Sequence, residues 1–261
     1  SSIISGTSRN LTKAGSGAGV LTLSGVNTYS GNTTISSGTL ALSGSGSIAN
    51  SPNIIVGSGG TFNVTALTTA LSLGASQKLS GSATGSNTTG TITVTNTRGI
   101  TLSAGGLAFT AYGGGSTAPL TVTGASAGAL ALNSAPVTVT TTTALAAGTY
   151  TLIAKGGSAT GVTGTPGTLT VNGSGLAAGT TGALSVVSGQ LILTVTTTSG
   201  FTVTFNANGG SGSMSPQNAS SLTALNANTF TRTGYTFTGW NTIDVGGGTA
   251  YADEDDYDFT A

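Results

Sequence analysis

The chain has no cysteine and no histidine, and only 5% of its 261 residues are charged, against roughly 25% in an average globular domain. Its six acids all lie between Asp244 and Asp258, and its six bases (Arg9, Lys13, Lys78, Arg98, Lys155 and Arg232) all precede them. Each absence excludes something. Without cysteine there are no disulfides, so stability has to come from packing and main-chain pairing rather than from bridges. Without histidine, and without a carboxylate before Asp244, that stretch has no general acid–base pair, Ser-His-Asp triad or ordinary metal cluster. A Ser–Lys nucleophile stays open in form, but serine is so abundant that its proximity to a lysine says nothing. Six scattered bases make no patch that could neutralise phosphates, so nucleic acid is not an expected partner. No apolar run approaches the roughly 20 residues of a membrane-spanning helix, so no transmembrane segment is expected. No signal peptide is visible at Ser1-Ser2-Ile3-Ile4-Ser5; a secreted precursor would have lost one, unless the sequence is a fragment.

What is present is alternation. Thr91-Ile92-Thr93-Val94-Thr95, Val137-Thr138-Val139-Thr140 and Leu191-Ile192-Leu193-Thr194-Val195 place an apolar residue at every second position, the period of a strand with one buried face. Stretches rich in Gly, Asn and Ser separate such runs and supply turn chemistry. Helical periodicity is absent, and Glu254 is the sole glutamate. The class is all-β.

Over residues 1–75 the turn signals recur about every ten residues. The clearest stretch runs through Leu11-Thr12-Lys13-Ala14-Gly15, Leu21-Thr22-Leu23-Ser24-Gly25, Asn27-Thr28-Tyr29-Ser30-Gly31, Thr33-Thr34-Ile35 and Gly38-Thr39-Leu40-Ala41-Leu42. It resembles the passenger-associated repeat of autotransporters over about residues 10–43, with Ala18-Gly19-Val20 padding one turn. The resemblance implies a right-handed parallel β-helix and a cell-surface or secreted setting, although these 261 residues include no translocator barrel. Physically, each short strand would be one wall of a coil, stacking would bury the alternating Leu, Ile and Val, and Gly and Asn would take the positive-φ corners. Residues 76–198 share the composition without so clean a motif and read as irregular coils continuing the same solenoid. At roughly 20–25 residues per coil, the first 198 residues would make about eight to ten coils. At about 4.8 Å per strand, their stack would be about 40–50 Å long.

Near residue 199 aromatics cluster for the first time. Phe201-Thr202-Val203-Thr204-Phe205-Asn206-Ala207-Asn208-Gly209-Gly210 and Thr231-Arg232-Thr233-Gly234-Tyr235-Thr236-Phe237-Thr238-Gly239-Trp240 resemble the Listeria–Bacteroides (internalin B-type) repeat over about residues 201–261. That resemblance implies a small β-grasp-like module of the kind strung along surface proteins as spacers or adhesive units. The chain departs from it in the acidic run Asp253-Glu254-Asp255-Asp256-Tyr257-Asp258 and in stopping at Ala261, before a further strand.

Candidate sites follow from these features. Asp253, Asp255, Asp256 and Asp258 form the one oxygen-rich set, for which calcium is the fitting ion; their spacing is not that of an EF-hand, consecutive acids point in different directions, and a solvated acidic turn is the better explanation. An absent last strand would leave an open edge at Tyr257 and Phe259. The segment Ser2, Ile3, Ile4 and Ser5 is the candidate strand to complete it from another copy, giving head-to-tail self-association and, where the contact does not close, a filament. Recurrent Thr-x-Thr pairs could form a flat β face for glycan or ice, though threonine is also an ordinary outward strand residue. Trp240 and its aromatic neighbours read as a carbohydrate platform or as the core that a module of this size needs. The six Asn-x-Ser/Thr sequons, Asn32 and Asn87 among them, mark exposed turns. The expected function is that of an extracellular, non-catalytic structural or adhesive protein, partnered by copies of itself or by surface and matrix polymers.

Overall fold

In a computed structural model of the chain, alternation becomes burial. In Gly90–Val94 and Val137–Thr141 the side chains of Ile92, Val94, Val137 and Val139 are fully buried, while Thr91, Thr93, Thr138 and Thr140 stay half-exposed. The structure describes residues 2–15, 18–82, 89–95, 98–125, 127–198 and 200–259. Ser1, Asn87 and Ala261, named above, lie outside the described residues. The described residues contain no helix, and they divide into two compact units, Ser1–Thr196 and Thr197–Ala261.

The first unit is a parallel β-solenoid. One sheet stacks Leu11–Lys13, Thr33–Ile35, Asn53–Val56, Lys78–Ser82, Leu107–Tyr112, Val137–Thr141 and Leu169–Gly173. A second stacks Val20–Leu23, Gly38–Gly44, Gly60–Leu67, Gly90–Val94, Leu120–Gly124 and Gly148–Lys155, all parallel. A third, of Leu71–Ser72, Ile100–Thr101, Ala129–Ala131 and Gly161–Thr163, begins only part-way along the stack. One hydrophobic core runs between the walls from Leu23 to Val195, without a break near residue 75.

Coil length explains why the third sheet starts late. In the first sheet, Leu11 faces Thr33 and Thr33 faces Ile54, partners 22 and 21 residues apart. Further on, Leu79 faces Leu107, Leu107 faces Val137 and Val137 faces Leu169, at 28, 30 and 32 residues. The extra residues form the third wall. The expected 20–25-residue coil therefore holds only at the start, and the first sheet has seven strands rather than eight to ten. Six steps of about 4.8 Å put its stack near 29 Å. The parallel order ends at Gln190–Thr197, which pairs antiparallel with Gly148–Lys155. It is reached from Thr180–Val187 through Ser188 and Gly189, whose φ of 50° and 77° suit a two-residue hairpin.

Two buried amides inside this solenoid are matched across coils. Asn27, 2% exposed, donates from Nδ2 to the Gly25 and Ser47 carbonyls at 2.9 and 3.0 Å and accepts the Ile4 N–H at 2.9 Å. Gln77, 4% exposed, donates to the Ile48 and Ser51 carbonyls, both at 3.0 Å, and accepts the Gly74 N–H at 3.1 Å. Each amide joins one coil to the next and pairs main-chain groups that turn inward there.

The second unit is built of three short antiparallel pairs: Phe201–Val203 with Gln217–Ala219, Leu222–Ala224 with Asp256–Asp258, and Trp240–Asn241 with Ala250–Tyr251. Its own core is Phe205, Leu225 and Phe259, flanked by partly buried Phe230, Trp240, Tyr251 and Tyr257.

Candidate functional site

In the second unit the chain turns sharply at Gly234, where φ is 80°. The Tyr235 N–H closes that turn on the Arg232 carbonyl at 3.1 Å, which brings the Arg232 guanidinium over the Tyr235 ring, 4.2 Å from its centroid. Arg232 Nη1 also donates to the Asn208 carbonyl at 3.1 Å, and Asn208 Nδ2 donates to the Asp244 carbonyl at 2.8 Å. These bonds tie three loops into one rim. Within it lies a groove of about 1270 Å³, lined by Phe205, Phe230, Arg232, Tyr235, Phe237 and Trp240 among others.

The groove's aromatic side chains divide into floor and rim. Trp240 packs against Phe205 and Phe237, with ring centroids 4.8 Å apart in each case, and against Phe230 at 6.2 Å. Phe205 is buried, whereas Phe237 is 39% and Tyr235 68% exposed. The Trp240 indole Nε1 is buried without a hydrogen-bond partner among the described residues. The aromatic cluster therefore supplies a core, as module size requires, and also an exposed pair on its rim. The sequence signal for that pair was Arg232-Thr233-Gly234-Tyr235, a glycine turn that sets a cation beside an aromatic ring.

The acidic residues stand apart from this groove, except Asp244. Asp253 Oδ1 accepts the Asn228 N–H at 2.9 Å. Asp255 accepts the Ala252 and Asp256 N–H groups at 3.3 and 3.1 Å, bracing a turn in which Glu254 has a φ of 59°. Asp256 and Asp258 flank Tyr257 on a strand and are exposed. No three acidic side chains of the described residues gather as a metal-holding group. Tyr257 is half-buried and Phe259 fully buried, their rings 5.1 Å apart. Tyr257 lies on the strand Asp256–Asp258, which has Leu222–Ala224 as its neighbour in a two-stranded sheet, and Phe259 follows in the turn after it.

At the other end of the sequence, Ser2, Ile3, Ile4 and Ser5 lie against their own first coil. Thr28 N–H donates to the Ile4 carbonyl at 2.9 Å, and the Ile4 N–H is taken by Asn27. Ile4 packs on the solenoid core, while Ile3 is 59% exposed. On the second sheet, register aligns Thr39, Thr61, Thr91 and Thr121 in one column. The adjoining column reads Ala41, Asn63, Thr93 and Thr123.

No helix among the described residues is long and apolar enough to cross a membrane. No curated protein and no solved structure matches the chain. Two family models do match: residues 11–42 are similar to the passenger-associated transport repeat, and residues 201–261 to the Listeria-Bacteroides repeat domain. Together with the parallel solenoid, these two repeats point to a secreted or surface β-repeat protein.

Proposed function

We propose that this chain is a non-enzymatic structural and adhesive protein of the bacterial exterior, with the solenoid as a stalk and the C-terminal module as a contact surface. The observation that carries this reading is the contrast between the two units. The first is one continuous core walled by hydroxyl-bearing strands, with no carboxylate before Asp244 to build an acid–base pair or a metal site. The second concentrates exposed aromatics around a groove. Display of the chain on a bacterium that lacks it tests the reading. Retention of those cells on polymer-coated surfaces above undisplayed controls is expected; retention equal to controls on polysaccharide, protein and plastic alike would overturn it.

The same reading includes self-association by strand addition beside Tyr257 and Phe259, where the two-stranded sheet offers a flank. Ser2 to Ser5 would have to leave Asn27 and Thr28 to act as the donor. Electron microscopy across protein concentration should show filaments that a chain lacking those residues does not form, and single particles at every concentration would remove this part of the proposal. The four-threonine column favours a second reading, a flat face that binds glycan or ice. Its test is ice growth inhibition by the purified chain, lost on Thr91→Tyr.

A further inference from the structure

We infer that the groove of the C-terminal module is a binding site for a neutral polysaccharide, with Tyr235 and Phe237 as the stacking platform. This rests on the adhesive reading above and gives it a ligand class.

Three observations carry the inference. The first is the exposed aromatic pair. Arg232 covers one face of Tyr235 and fixes the ring, yet the residue stays 68% exposed, so ring surface remains open to a ligand. Phe237, two residues on, lines the same groove and stands edge-on against Trp240 at 66°. The carbon–hydrogen faces of pyranose rings with equatorial hydroxyls are apolar and suit such surfaces, as in β-linked glucans and chitin. Aromatic rings held by packing give contact area at low entropic cost.

The second is charge. The groove's lining contains one cation, Arg232, and one carboxylate, Asp244. A polyanionic glycan would need a cluster of bases and a cationic polymer a cluster of acids; neither lines it.

The third is the character of the polar groups. Asn206, Asn208, Asp244 and several threonines line the groove, giving acceptors as well as donors. Sugar hydroxyls both donate and accept, so they can satisfy such a mixed set. A proline-rich peptide, the other common occupant of aromatic grooves, offers carbonyl acceptors but few N–H donors. The Asp244 carboxylate would go unanswered.

Trp240 is the only tryptophan, so its fluorescence reports on the groove directly. The purified full chain is titrated with mixed-linkage β-glucan and, in parallel, retained on insoluble cellulose and chitin; a proline decapeptide serves as the alternative ligand. A saturable fluorescence change with at least one of the three glycans is expected. Tyr235→Ala or Phe237→Ala should weaken it about tenfold or more. Both residues are exposed, so folding should survive. Phe201→Ala, an aromatic that is 51% exposed but does not line the groove, should bind as the parent does. Binding that ignores the two groove variants, or no response to any of the three glycans, would overturn the inference. A saturable response to the decapeptide alone would reassign the groove to peptides. If displayed cells still adhere while the purified chain binds no glycan, the inference fails and the adhesive reading stands.

Discussion

The Tyr29 hydroxyl lies 2.6 Å from Thr33 Oγ1, and Thr33 donates onward to Ser51 Oγ at 2.8 Å. Ser51 in turn donates to the Asn53 carbonyl at 3.3 Å. Because Thr33 spends its proton on Ser51, Tyr29 is the donor at the head of the relay. All three hydroxyl residues are at most 1% exposed, so a loss at the head leaves a buried acceptor unpaired. Tyr29→Phe is expected to cost about 1–3 kcal/mol in urea unfolding. An unchanged midpoint would mean that the relay adds nothing to stability.

Tyr112 is the opposite case. Its hydroxyl is buried and has no partner among the described residues. Tyr112→Phe is therefore expected to be neutral or stabilising, since it removes an unmet desolvation cost. A drop in thermal midpoint matching that of Tyr29→Phe would contradict this.

Alkaline pH should separate the two hydroxyls from the bulk solvent. Burial, with the neighbouring Tyr150 adding to it, pushes Tyr112 up to about 12, from an ordinary value of 10.0; burial also raises Tyr29, partly offset by its bond to Thr33. Between 10 and 12 the unfolded chain has released a proton that the folded chain still holds. Stability is thus intact below pH 10 and falls as pH rises toward 12. Tyr112→Phe should flatten that decline, which unfolding curves at a series of pH values would reveal.

Much of this was legible in the residues. Period-2 alternation revealed the strands, and the repeat motif over about residues 10–43 revealed the first coils. The mixed run of aromatics beyond Phe201 marked the second unit. The widening of the coil was not legible, because partners as far apart as Val137 and Leu169 are joined only through register, and irregular corners hide the count. Thr33, Ser51 and Gln77 look like surface residues by type, yet they are buried: Ser51 and Gln77 donate to main-chain carbonyls turned inward, and Thr33 links the Tyr29 and Ser51 hydroxyls. The aromatic cluster around Trp240 read as platform or core, because composition cannot tell which aromatics, here Tyr235 and Phe237, a small module leaves outside.

Gly31 tests how tightly the first coils fit. A Cβ added there would come within 2.4 Å of the Arg9 carbonyl oxygen and 2.5 Å of Asn10 Oδ1. Gly31→Ala should cost about 1–3 kcal/mol by overpacking, read as a lowered thermal midpoint. Gly15, where nothing lies within 4 Å of such a Cβ but φ is 118°, makes a comparison in which strain alone operates.

Phe259 is fully buried at the centre of the second core. Phe259→Ala should cost about 3–5 kcal/mol, comparable to the whole stability of a domain of about 60 residues. The expected signature is a red shift of Trp240 emission in the absence of denaturant. Emission like the parent's would show that the module tolerates a vacated centre.

The widening of the solenoid gives it a direction. Coils of 21 or 22 residues meet neighbours of similar size near Leu11, and coils of 30 or more meet their like near Val137. The coils are therefore not interchangeable parts, and a short one duplicated among the long ones would leave the third wall interrupted. Under a pulling force, coils peeled from the narrow side would release short lengths of chain first and longer ones later, so the order of the steps would be written into the trace.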